Sequence, residues 1–140
     1  VVERGDPGVT VVLDTNIYSA WRRGDPRVRS HVTQANALLL PVIVIGELLA
    51  GFRRGTRLQR NLDDLQTMLD LPQVRVVDVS TRTADRYGRI EAILRRRGRP
   101  IPPNDVWIAA TASDHGVPLL SFDRHFATVP GIDWIDPARP

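Results

Sequence analysis

The chain has 140 residues, is 42% hydrophobic and 25% charged, and carries a formal net charge of +3, as expected of one globular domain with a core of its own. There is no cysteine, which excludes disulfides, thiolate zinc sites and cysteine nucleophiles. All 19 basic residues are arginine, which also excludes P-loop lysines, Schiff bases and lysine-dependent phosphoaspartate sites.

In chain order, the apolar, β-branched run Val9–Leu13 predicts a short buried strand. Asp25-Pro26 predicts a helix start, with proline at the first helical position and the helix running to about Asn36. Leu38–Leu40 predicts a second strand that stops at Pro41. Val42–Phe52 predicts a helix closed by Arg53-Arg54-Gly55. Thr56 is a candidate cap for the next helix, whose apolar stripe is Leu58, Leu62, Leu65 and Leu69. Arg60, Asp63 and Asp64 fall on its polar side as surface pairs of little energetic weight.

Val74–Val79 predicts a strand, and Ser80 or Thr81 caps a long helix with Ala84, Tyr87 and Leu94 inward. That helix ends in the run Arg95-Arg96-Arg97-Gly98-Arg99-Pro100. Pro102-Pro103-Asn104 opens a helix from Asp105 to about His115. Val117–Leu120 predicts a strand, Arg124–Ala127 a helical turn, and Ile132–Ile135 a last, edge-like strand. Strands alternating with helices imply an α/β fold with a parallel sheet covered on both faces. The longest apolar run, Leu38–Ala50, is interrupted by Glu47 and is too short for a bilayer. With no signal-peptide pattern at Val1–Gly5, the expected location is cytoplasmic.

Charge is unevenly spread. Residues 1–50 are neutral, 51–100 carry a net +6 and 101–140 a net −3. A basic surface with a local acidic spot suits a polyanion handled at a cation site, although ordinary solvated faces also carry charge runs.

Four carboxylates stand in unusual places. Asp14 directly follows the first strand, where open α/β sheets bind ligands, and Thr15 and Asn16 follow it; an Asx turn or helix cap would read the same. Glu47 has Ile43, Val44, Ala50 and Gly51 as its helix neighbours. Burying such a carboxylate unpaired costs several kcal/mol, so a cation is expected beside it, unless it snorkels from a helix edge. Asp105 opens an apolar helix with Ile108, Ala109 and Ala112 on its face, a position that capping alone also explains. Asp123 repeats the arrangement at Asp14, after a strand and with Ser121 two residues before it. Converging without a lysine, these acids would repel each other. Hard oxygen ligands of this kind suit Mg²⁺ or Mn²⁺ and metal-assisted phosphodiester hydrolysis.

Leu13-Asp14-Thr15-Asn16, Gly46-Glu47-Leu48, Asn104-Asp105-Val106-Trp107-Ile108-Ala109-Ala110 and Ser121-Phe122-Asp123-Arg124-His125-Phe126 together resemble the PIN domain, and within it the VapC-type ribonuclease toxins of toxin–antitoxin pairs. The resemblance implies a three-layer α/β/α fold around a mostly parallel five-stranded sheet over residues 9–140, with residues 1–8 as a tail. It implies a Mg²⁺- or Mn²⁺-dependent endoribonuclease holding one or two ions and leaving 5′-phosphate and 3′-hydroxyl ends. By the same resemblance Asp14, Glu47, Asp105 and Asp123 bind metal, and Thr15, Asn16 and Ser121 orient them. The partners it implies are RNA, a VapB-like antitoxin and a second copy of the chain, with no membrane. A processing nuclease without an antitoxin, or a non-catalytic RNA-binding module, remains the alternative.

Arg95, Arg96, Arg97 and Arg99 lie just upstream of Asp105 and are candidate phosphate grips. Arg53 and Arg54 after the Glu47 helix are others, and ordinary helix C-terminal charge explains both sets equally. Trp107, off the Asp105 stripe, is expected in the core. His31, His115 and His125 lack zinc spacing, so neither a zinc site nor histidine catalysis is expected. Asp78 alternates with Val77 and Val79 and is expected on the surface.

Overall fold

A computed structural model describes residues 9–139. The expected tail, residues 1–8, lies outside the described residues. Strand β1 (Val9–Leu13) leads through α1 (Thr15–Arg22) and α2 (Pro26–Gln34) to β2 (Ala35–Pro41). Next come α3 (Val42–Arg54), α4 (Leu58–Leu69) and β3 (Val74–Val77), then α5 (Thr81–Arg96) and α6 (Pro103–His115). After β4 (Leu119–Leu120) a 3₁₀ turn (Arg124–Thr128) precedes β5 (Trp134–Ile135). The five strands pair in parallel in the order β3-β2-β1-β4-β5. Right-handed crossovers put the β1–β2–β3 helices on one face and the α5–α6 crossover on the other, giving three layers.

Val11, Val12, Leu13, Leu38 and Leu40 are all at most 1% exposed, which is why the central strands read as apolar runs without alternation. On the edge strand β3, Val76 remains exposed. The chain moves outward from β1 to β2 and β3, then returns to the other side of β1 with β4. The carboxyl ends of β1 and β4 therefore flank a switch point where the crevice of an open α/β sheet forms.

Several boundaries differ from the sequence reading. Helix α1 was not expected. Its two turns, TNIYSAWR, have little intrinsic helix preference and are held by burial of Ile17, Tyr18 and Ala20 and by the Asp14 cap. Helix α2 stops at Gln34 because Ala35 is already extended and pairs with Val9. Thr56 does not cap α4; Arg57 occupies that position without a side-chain bond. Asp64 pairs across to Arg22 on α1 rather than along its own helix. Ala84 is exposed, and Thr83 takes the buried place expected of it. Strand β3 ends at Val77, so Asp78 is exposed beyond the ladder, and β4 and β5 are shorter than their apolar runs. Trp107 is half-buried and stacks on Tyr87 at 4.2 Å between ring centroids, joining α6 to α5.

The α5–α6 pair is clipped at its far end. Ser80 caps α5 in a reciprocal capping box with Thr83. The Thr83 hydroxyl also donates to Asp114 on α6 at 2.9 Å, and Arg82 lies 3.1 Å from the same carboxylate. Replacing Thr83 by valine keeps the volume and removes both bonds. Urea unfolding is expected to show a loss of about 2 kcal/mol, with Thr83→Ser recovering most of it.

Candidate active site

Asp14 leaves β1 in extended conformation, its amide held by the Leu120 carbonyl of β4 at 3.1 Å. It is 4% exposed. Its Oδ1 accepts the Thr15 amide at 2.7 Å, which caps α1. Its Oδ2 accepts the Ser121 hydroxyl at 2.7 Å and the Asn16 amide at 3.4 Å. Asn16 in turn reaches the Ser121 hydroxyl at 3.2 Å and accepts the Phe122 amide at 3.2 Å, while the Asp123 amide donates to Ser121 Oγ at 2.9 Å. The loop after β4 is thus laced to the loop after β1. Behind it, the Trp134 indole donates to the Ser121 carbonyl at 2.8 Å.

Glu47 lies on α3 and is half-buried. Its Oε1 accepts the Thr15 hydroxyl at 2.7 Å and its Oε2 accepts the Asn104 amide at 3.3 Å. The cation expected beside it is not its partner. Among the described residues no arginine forms a salt bridge with any of the four acids. Two neutral donors, together with partial exposure to solvent, satisfy the carboxylate instead. Asn104 had no role assigned from the sequence; its only signal was its place directly before Asp105 in the motif.

Asp105 stands in the first turn of α6, half-buried. Burial pushes its carboxyl up to about 6, and the charges of Asp14, Asp123 and Glu47 push in the same direction. Asp14 is also raised, by burial first and then by Glu47 and Asp123, against the lowering bonds from Ser121 and Thr15. Asp105 therefore feels the other three acids and Asp14 feels Glu47 and Asp123: the structure brings all four together.

Asp123 caps the 3₁₀ turn, its Oδ1 accepting the His125 amide at 2.9 Å and lying 3.1 Å from His125 Nδ1. Ligand atoms of Asp105, Asp123 and His125 lie within 4.8 Å of one another. The sequence reading set His125 aside because histidine spacing shows only pairings with other histidines. The tight turn capped by Asp123 is what folds residue 125 back onto residue 123. Thr15, Asn16 and Ser121, expected to orient the acids, hydrogen-bond to Asp14 or Glu47. Arg95, Arg96, Arg97 and Arg99 are exposed at and beyond the end of α5 and touch none of the acids, and Arg95 is paired with Glu91 on its own helix.

The donor set is carboxylate oxygen from four acids, with one exposed imidazole beside them and, among the described residues, no guanidinium paired with it. Such a set fits a hard divalent cation, which would offset the repulsion that adds to burial in lifting Asp105.

Comparison with known proteins agrees with this geometry. Residues 11–132 match the PIN domain. The tRNA(fMet)-specific endonuclease VapC of Shigella flexneri is 30% identical over 130 residues, covering 88% of this chain and 96% of that protein. The crystal structure of DNA-bound VapBC from Salmonella typhimurium superposes with a TM-score of 0.83 at 26% identity, over 92% of this chain and 98% of the other. VapBC2 from Rickettsia felis, bound to a promoter DNA fragment, shares the fold with a TM-score of 0.84 at 22% identity, over 91% and 98% of the two chains. The chain belongs to the PIN domain family and, within it, to the VapC-type ribonucleases.

Proposed function

We propose that the chain is a divalent-metal-dependent endoribonuclease toxin of a VapBC-type pair, restrained by a cognate VapB-like antitoxin and acting on RNA in the cytoplasm. The observation that carries this reading is the convergence of Asp14, Glu47, Asp105 and Asp123 at the sheet's switch point with no arginine among the described residues paired to them. The reaction is hydrolysis: a water oxygen bonds to phosphorus and the bond to O3′ breaks. Asp14, Glu47, Asp105 and Asp123 would hold Mg²⁺ or Mn²⁺. The bound ion supplies Lewis-acid polarisation of the phosphate and a more acidic water.

The chain's own residues do the rest. Ser121, Asn16 and the Thr15 amide fix the Asp14 carboxylate in one orientation. Thr15 and Asn104 aim Glu47 from opposite sides. Because these donors are neutral, they orient the acids without discharging them.

Asp14→Asn and Asp105→Asn are expected to abolish RNA cleavage and growth inhibition while leaving the circular dichroism spectrum unchanged. Full cleavage by both purified variants would overturn the assignment. Ser121→Ala, which removes one orienting bond, is expected to weaken Mn²⁺ binding by about 10- to 100-fold in a calorimetric titration.

A pH signature follows from Asp105, whose folded-state value of about 6 stands above its ordinary 3.8. Between these values the folded protein binds more protons than the unfolded chain. Its contribution therefore stabilises the metal-free protein below about pH 4 and is lost as pH rises through 6. Asp25, held down to about 2 by Arg27, acts with the opposite sign and only at lower pH. In EDTA the melting temperature is expected to fall from pH 4.5 to 7, with a flatter profile in Asp105→Asn. Added Mn²⁺ is expected to raise it at pH 7 and far less at pH 4.5. An equal Mn²⁺ effect at both pH values would count against a carboxylate-held ion.

A further inference from the structure

Next to Glu47 a cavity of about 460 Å³ opens between α3 and the start of α6, lined by Ile43, Gly46, Glu47, Ala50, Arg54 and Asn104. One wall is a single stripe of α3. Glu47, Ala50 and Arg54 succeed each other at i, i+3 and i+7, which sets the backbone positions of Glu47 and Arg54 about 10 Å apart along the helix axis, the furthest their charged groups need lie along it once the guanidinium turns back. Between them the stripe carries only small residues. A Cβ added at Gly46 would meet nothing within 4 Å, so the floor there is open. A Cβ at Gly51 would lie 3.6 Å from the Arg54 guanidinium, which therefore lies back along its own helix over that glycine. Arg54 forms no salt bridge among the described residues. Arg53, one residue round the helix, is exposed and does not line the cavity.

The cavity is thus acidic at one end and cationic at the other. A small free anion that reached Arg54 would gain nothing from the acidic end. A polyanion is different, since one of its phosphates can sit over the acid cluster while a neighbouring phosphate meets the guanidinium, which binds phosphate through two parallel hydrogen bonds. About 10 Å is no more than roughly three nucleotide steps of a stacked strand, and fewer of an extended one.

We propose that this cavity seats the RNA nucleotides flanking the scissile phosphate, and that Arg54 grips their backbone. The proposal rests on the nuclease reading above and separates Arg54 from Arg53 and from the α5 arginines.

The test compares Arg54→Gln, Arg53→Gln and the unaltered full chain. Cleavage kinetics are measured with a short single-stranded RNA, and binding is followed by fluorescence anisotropy in an Asp14→Asn background across a salt series. Arg54→Gln is expected to raise KM about tenfold with little change in kcat, and to reduce the slope of log affinity against log salt by about 0.7. The melting shift produced by Mn²⁺ should be unchanged, which separates lost RNA contact from damage to the acid cluster. Arg53→Gln should match the unaltered chain. Unchanged KM and salt slope in Arg54→Gln, or equal losses in the two arginine variants, overturn the subsite while the nuclease reading stands. An unaltered chain that neither binds nor cleaves RNA overturns the nuclease reading and the subsite with it.

Discussion

Mutual repulsion among Asp14, Glu47, Asp105 and Asp123 is the constraint to which the rest of the site answers. Each approach of like charge raises the cost of keeping both ionised, and burial of Asp14 adds a desolvation cost. At Asp14 and Glu47 the donors among the described residues are neutral: a hydroxyl and two amide groups at Asp14, a hydroxyl and an amide at Glu47. Hydrogen bonds to a charged acceptor are worth more than bonds between neutral groups, so a few suffice to keep Asp14 oriented. They do not remove its charge. The residual field adds to burial in lifting Asp105 to about 6, and it is what a divalent ion would neutralise.

Such a network cannot be assembled locally. The Ser121–Asp14 bond joins residues 107 apart in sequence, Asn104–Glu47 joins residues 57 apart, and Thr15–Glu47 joins residues 32 apart. The parallel sheet makes these distances short, because β1 and β4 lie side by side and end at the same level. At that junction Leu119 and Leu120 are fully buried and Trp134 holds the Ser121 carbonyl from the edge strand. A shift of the β4 loop would break the bonds of Ser121 to Asp14, Asn16 and Asp123 together. The stability of the sheet and the geometry of the acids are therefore one property.

What the sequence made legible follows the same division. The buried strands and the four acids could be read because their signals are local: an unbroken apolar run, a carboxylate directly after it, a charge on an apolar helix stripe. Helix α1 could not be read, since Thr15 to Arg22 favour a helix only once Ile17 and Tyr18 are packed. Glu47 was legible as a misfit, but its partners were not. The reading asked for a cation, and the fold supplied Thr15 and Asn104 from two other elements. His125 was missed because its relation to Asp123 depends on the 3₁₀ turn, which periodicity cannot see. The arginines were the least legible of all. The sequence singled out residues 95–99 and, beside them, Arg53 and Arg54 without ranking them; among the described residues the guanidinium that shares a cavity with a site acid is that of Arg54.

That last difference has a physical basis. With lysine absent, every side chain of the protein that is cationic at all working pH values is a guanidinium, able to clasp a carboxylate through two hydrogen bonds and so to occupy the place of a metal. A working acid cluster has to keep them off. Many of the arginines are committed elsewhere: Arg22 to Asp64, Arg27 to Asp25, Arg82 to Asp114, Arg89 to Asp85, Arg95 to Glu91 and Arg139 to Asp136. Arg54 is held apart by a different device, its distance along α3. The two backbone positions stand about 10 Å apart along the axis, and the guanidinium lies over Gly51 without forming a salt bridge to Glu47 among the described residues. The same distance is within reach of a bound strand, which carries its own charges along the groove. Two turns of one helix are enough to make an arginine a partner of the substrate without making it a partner of the acid.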